Sequence, residues 1–197
     1  MLDWLKINKD YPQFWKDYLG KFENKSRRFV AFSTETTGLD AEKDVILSIG
    51  AVAIENNTIV VKDSFEALIF QEKFTPETAL KTGVIKGVPE EKHSESEAIE
   101  AFINYLGNAV LIGHRIHFDI AMINTALEKL HCGKLKNEAL DIEVMFKKWK
   151  QLPEEKQFSL DELGAYFKIS KSDRHTASND AFTISLLFQR LKQRLGL

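Results

Sequence analysis

The chain has 197 residues, 44% of them apolar and 28% charged, which is the balance and size of one ordinary globular domain with room for a sizeable core. Its formal charge of -2 argues against a non-specific nucleic-acid coat protein, which would be strongly basic, but not against an enzyme that works beside metal ions, because the cations supply local positive charge. A single cysteine, Cys132, excludes an internal disulfide and a cysteine-based zinc site, and the absence of an 18-residue apolar run or a signal-peptide pattern makes the cytoplasm the expected compartment.

In chain order, Asp10 to Phe22 places Phe14, Trp15, Tyr18, Leu19 and Phe22 at helical spacing, with Asp10 as the expected cap and Pro12 early in the helix. Residues 1–27 therefore read as a helical extension packed on the main body. Arg28 to Thr34 is a short apolar strand. Val45 to Ile54 is almost wholly apolar, as a central strand covered on both faces should be. Asn56-Asn57 is a tight turn, and Thr58 to Phe70 returns as a third strand, completing an antiparallel meander.

After the meander the pattern changes. Ser94-x-x-Glu97 is a capping box that opens a helix to about Leu106, and Ala109 to Gly113 is a compact buried strand. A helix follows from Asp119 to Leu130, then a short strand from Ala139 to Ile142. Ser159-x-x-Glu162 caps a further helix to about Phe167. The last helix runs from about Ala177 to Arg194, with Ile184, Leu187, Phe188 and Leu191 as its core face. No linker or repeat divides the chain, so it reads as a single α/β domain with a mixed sheet and helices on its faces.

Four segments carry candidate chemistry. Phe32 to Leu39 (FSTETTGL) ends the first strand with Glu35 and lets the chain turn at Gly38. Gly113 to Asp119 (GHRIHFD) joins a strand end to a helix start, where the negative charge of Asp119 is favoured. Asp141 lies at another short strand. His175 to Asp180 (HTASND) enters the last helix.

These segments, in order, make the chain resemble the DnaQ-like 3'–5' exonucleases of the His-containing DEDD superfamily, over roughly Arg28 to Phe188. In that family the first motif is usually DTETTGL, and here it is STETTGL, with Ser33 in place of the aspartate. The second motif, usually close to GHNxxFD, is matched by the segment from Gly113 to Asp119, with Arg115 in place of the usual small polar residue. The third, H-x-A-x-x-D, is matched in full by His175 and Asp180. The resemblance implies a ribonuclease-H-like fold: a five-stranded mixed sheet, antiparallel meander first and parallel strands after, flanked by helices. It also implies two-metal hydrolysis of phosphodiesters at single-stranded 3' ends, with Mg²⁺ or Mn²⁺ as the cofactor. Glu35 and Asp180 would hold the metal that binds the attacking water, Asp119 would act through the second metal's surroundings, and His175 would take the proton.

Ser33 breaks that pattern at the residue that bridges both metals in the family. A neutral hydroxyl is a poor ligand for Mg²⁺, so activity is expected to fall by roughly 10²–10⁴-fold. The alternative is an inactive relative that holds a strand end or a polymerase-type partner without cutting. Thr36, Thr37, Gly38 and Leu39 are the expected pocket for the terminal nucleotide, with Leu39 against the last base. His114 either touches substrate or ties down its loop, and Phe118 either stacks on substrate or belongs to the core. Lys168, Lys171 and Arg174 are candidate phosphate guides, while Asp141 reads as structural. DNA is the expected substrate ahead of RNA. Gln189 to Leu197 is either a docking tail or the end of the last helix.

Overall fold

The computed structural model describes residues 10–71, 93–170 and 176–197. Its strands are β1 (Phe29–Thr36), β2 (Ile46–Glu55), β3 (Thr58–Leu68), β4 (Val110–Gly113) and β5 (Ala139–Asp141). Its helices are α1 (Gln13–Gly20), α2 (Glu95–Leu106), α3 (Ile116–Lys129), α4 (Ile142–Lys150), α5 (Leu160–Tyr166) and α6 (Ala177–Leu195). The sheet order is β3-β2-β1-β4-β5, antiparallel from β3 to β1 and parallel from β1 to β5. This is the expected ribonuclease-H-like arrangement. Asn56 and Asn57 both take the positive φ (49° and 61°) that a two-residue hairpin turn of matching twist requires.

The alternation of β1 divides the core. Val30 and Phe32 point to one face, where they meet Trp15 and Tyr18 of α1, Phe102 of α2 and Ile123 of α3. Ala31 points to the other, toward Phe146 of α4, Leu163 of α5 and Phe188 of α6. Every residue of β2 from Ile46 to Ile54 is buried, which is why it reads as an unbroken apolar run rather than an alternating one.

Both capping boxes form as the spacing predicts: the side chains of Ser94 and Ser159 accept from the backbone N–H groups of Glu97 and Glu162, whose carboxylates reach back. Three expectations are corrected. Helix α1 starts at Gln13 with Pro12 at its N-cap and no side-chain cap bond, so Asp10 does not cap it; Asp10 lies beside Lys16 instead. Helix α3 begins at Ile116, three residues before Asp119, because the Ile116 N–H is taken by Asp141 Oδ2 across the β4–β5 ends. The strand ending near Ile142 stops at Asp141, whose carboxylate accepts from Glu143 and Val144 and starts α4, a helix the sequence reading did not place. The segment from Gln189 onward continues α6 to Leu195, and its Gln189 and Lys192 bond Asn57 in the hairpin turn. No described helix is long and apolar enough to cross a membrane.

Candidate functional site

The site forms at the end of β1. Ser33 and Glu35 lie on the face that α6 covers, and Thr34 lies on the α3 face. Ser33 pairs with Gly50 on β2, and Glu35 pairs with Ser48. Gly50 explains how α6 comes so close: a Cβ there would collide with the backbone of Ala177 and Ser178. Lacking one, it lets the start of α6 lie directly on the sheet and brings Asp180, in the first turn of α6, toward Glu35 and Asp119.

Asp119 is 6% exposed and is fixed from the other side. The β1–β4 ladder ends at the Ala31–Ile112 pair. Beyond it, Asp119 Oδ1 accepts from the Thr34 N–H at 2.8 Å and the Thr34 hydroxyl at 2.7 Å. A side chain thus replaces the missing strand partner and satisfies a backbone donor that would otherwise be orphaned. Burial raises the Asp119 carboxyl to about 7, with the two Thr34 bonds opposing and the charge of Asp180 adding to the rise. Burial likewise raises Glu35 to about 7; the Ser48 hydroxyl, 3.1 Å away, opposes it, and Asp180 and Glu66 reinforce it. The structure therefore draws Glu35, Asp119 and Asp180 into one electrostatic neighbourhood, in which each negative charge makes the others costlier.

The other predicted residues take varied places. Thr36 donates its hydroxyl to Gly38 O, and Thr37 donates to Asp44 Oδ1, so both hydroxyls brace the turn after β1. Gly38 is pressed against the Asp44 carboxylate, while Leu39 is 88% exposed with no apolar cover. His114 Nε2 lies 2.8 Å from Phe158 O, tying its loop to the start of α5. Phe118 is half-buried against the core. Lys168 is exposed. His175, Lys171 and Arg174 lie outside the described residues. Asp141 has the structural role expected of it. Sequence reasoning missed Thr34, Ser48 and Gly50, which act through strand register, and Glu143, a buried carboxylate that accepts from Phe158 N–H and Arg115 Nε. The one available signal for Glu143 was its place one residue into an apolar-periodic stretch from Ile142 to Trp149.

Residues 30–188 match the family RNase_T, described as Exonuclease. The chain belongs to this family. Among curated relatives, the DNA polymerase III PolC-type of Latilactobacillus sakei is 30% identical over 172 residues, covering 86% of this chain but 12% of its own length. The DNA polymerase III subunit epsilon of Aquifex aeolicus is 26% identical over 168 residues, covering 85% of this chain and 81% of its own. The chain thus spans about an eighth of the PolC-type relative. Among solved structures, E. coli exonuclease I in complex with a dT13 oligonucleotide superposes with a TM-score of 0.69 at 16% identity, covering 87% of this chain and 42% of that one. That likeness establishes a shared fold.

The family implies divalent metal, and the donor chemistry of the RNase_T site fits it. Hard cations take oxygen ligands, and the crowding that raises Glu35 and Asp119 is the kind a cation relieves. Asp119 Oδ1 is already occupied by Thr34. Among the described residues no group of three His, Cys, Asp or Glu side chains stands ready to hold an ion.

Proposed function

We propose that this chain is a 3'–5' exonuclease acting on single-stranded 3' ends, with DNA preferred over RNA, and that Ser33 leaves it strongly impaired. The observation that carries the reading is the joint placement of Glu35 and Asp119 beside Asp180 within a chain of the exonuclease family. Glu35 and Asp180 would hold one of two Mg²⁺ or Mn²⁺ ions, Asp119 would act through the surroundings of the second, and Ser33 stands where the family has a carboxylate. The bound metal supplies an activated water and charge stabilisation at the phosphorus. His175 would accept the proton from the attacking water. The turn from Thr36 to Leu39 receives the terminal nucleotide, with Leu39 against its base and Phe118 and His114 flanking it.

DNA as substrate and a DNA polymerase as partner are supported by the relatives named DNA polymerase III and by the oligonucleotide complex of exonuclease I. Residues 28–188 form the catalytic core in this reading, with residues 1–27 as a helical extension and residues 189–197 as the end of the last helix. The cytoplasm is its compartment. A second reading, a module that binds a strand end without cutting it, is favoured by Ser33 alone, because one of the four expected carboxylates is missing.

The test compares this chain with Ser33→Asp on a 3'-labelled single-stranded DNA oligonucleotide in Mn²⁺. Mononucleotide release is expected to rise by roughly 10²–10⁴-fold in the Asp variant. Equal release by both proteins would refute the account of Ser33. No release by either, with DNA or with RNA, would replace the exonuclease reading with the binding module.

A further inference from the structure

Arg115 lies two residues past the C-terminal end of β4, one helical turn before Asp119. It is the N-cap of α3, yet its side chain makes no cap bond, and its backbone is left-handed at φ 53° and ψ 41°. Asn, Asp or Gly would occupy such a position at lower cost. The local start of the helix therefore does not account for a long cationic side chain there.

Its contacts point elsewhere. Arg115 Nε donates to Glu143 Oε2 at 3.1 Å. Glu143 is itself 5% exposed and is held by the Phe158 N–H at 2.7 Å, with His114 Nε2 3.9 Å from its second oxygen. Burial would raise this carboxyl, but the Phe158 N–H and the Arg115 contact outweigh it and keep it below its ordinary value, so it is charged. The anchor is thus a fixed anion that holds the guanidinium at Nε. The Arg115 side chain remains 51% exposed, and among the described residues no hydrogen bond engages its two terminal amino groups. Glu162 is near enough to feel its charge, but the Glu162 carboxylate is committed to the Ser159 cap. An arginine serving only an internal ion pair would present its two-pronged fork to the carboxylate; this one engages it through Nε.

The parallel strands β1, β4 and β5 all end on this edge of the sheet, where ligands of open α/β folds bind. With Ser33 in place of a carboxylate, the edge carries one negative charge fewer, and Arg115 adds a positive charge that needs no metal.

We propose that Arg115, aimed by Glu143, binds a backbone phosphate of the single strand whose 3' end lies at Glu35 and Asp119. This rests on the exonuclease-family reading of the site and names a contact within it. Because the contact is protein to phosphate, it operates without divalent cations.

The test is fluorescence anisotropy of a 5'-fluorescein-labelled oligo-dT with a free 3' end, in EDTA, across a KCl series. Arg115→Asn is the main variant, since Asn tolerates the left-handed backbone and removes the charge. Its Kd is expected to rise about tenfold, as for loss of a charged hydrogen bond. The slope of log affinity against log salt is expected to shrink by about 0.7, the share of one single-strand phosphate contact. Arg115→Lys keeps the charge without the fork and is expected to keep the slope while losing part of the affinity. A weaker Arg115→Asn with an unchanged slope overturns the proposal, because Arg115 would then act only through the placement of α3. An Arg115→Asn equal to the parent in both measures overturns it and leaves the exonuclease reading standing. No binding by the parent chain in EDTA overturns the proposal, and nucleotide release by the Ser33→Asp variant in Mn²⁺ would then show that the exonuclease reading stands without it.

Discussion

At the residue scale the site depends on carboxylates that the fold makes reluctant to ionise. Asp119 and Glu35 sit at about 7, chiefly through burial, and each has one neighbouring hydroxyl working in the opposite direction: Thr34 for Asp119 and Ser48 for Glu35. Thr34→Val deletes the hydroxyl donor to Asp119 while preserving shape and leaving the backbone donor in place. The Asp119 carboxyl should then titrate higher than in the parent chain, because a bond to the charged form has been lost. Carbon-detected NMR titration of the carboxyl resonance measures this directly, and an unchanged or lower midpoint would show that the Thr34 hydroxyl does not set the charge of Asp119. Ser33 lies on the same strand as Thr34 and Glu35 but contributes no charge, which is why its replacement by aspartate is the variant that bears most directly on catalysis.

At the scale of elements, the contact between β2 and α6 places the third carboxylate. Gly50 is opposite Ser33, and the Ala177–Ser178 backbone occupies the space a side chain would need. The obstacle is main chain at a helix start, so it cannot swing aside as the tip of a flexible side chain would. Gly50→Ala should therefore push the start of α6 off the sheet and cost about 1–3 kcal/mol, the usual range for overpacking. Urea unfolding should show a lower midpoint with an unchanged slope. In a Ser33→Asp background, the same change should also reduce nucleotide release, since Asp180 moves with the helix. A midpoint equal to the parent's would mean that α6 has more slack than its contact with Gly50 suggests. The start of α4 follows a different logic: Asp141 ends β5, caps α4 and holds the Ile116 N–H of α3, so a single carboxylate sets the spacing of three elements.

For the whole molecule, the raised carboxyls link stability to pH. Glu35 and Asp119 have ordinary values of 4.5 and 3.8 and stand at about 7 when folded, so between roughly pH 4 and pH 7 the folded chain binds more protons than the unfolded one. Stability from these groups is complete below their unfolded values and declines as pH rises toward 7, with little further change above. Thermal unfolding in EDTA should show Tm falling over that interval. Mn²⁺ should restore it, and by more at pH 8 than at pH 5.5, because a cation must displace bound protons at the lower pH. A Tm gain from Mn²⁺ that is equal at both values, or absent, would count against metal binding at these carboxylates.

Much of the architecture was legible before any coordinates, for local reasons. Capping boxes are satisfied by side chains three residues apart, the Asn56-Asn57 turn by backbone preference, and the buried β2 strand by its continuous apolar run. The candidate carboxylates were legible too, because their motifs are contiguous stretches of chain. Other features were not visible, because they arise between segments distant in sequence. Nothing local marks Asp141 as the partner of Ile116, 25 residues away, or Thr34 as the donor to Asp119, 85 residues away. The same holds for Gly50, whose importance depends on which helix crosses it, and for Glu143, whose anchoring of Arg115 exists only once α4 and the β4–α3 junction are side by side. The amino-acid sequence by itself determined which groups are available for chemistry and which local structures carry them, since both follow from short-range preferences. Only the tertiary structure decided which of those groups share a low-dielectric neighbourhood, and hence how readily each one is charged, because burial and like-charge proximity exist only in the folded chain.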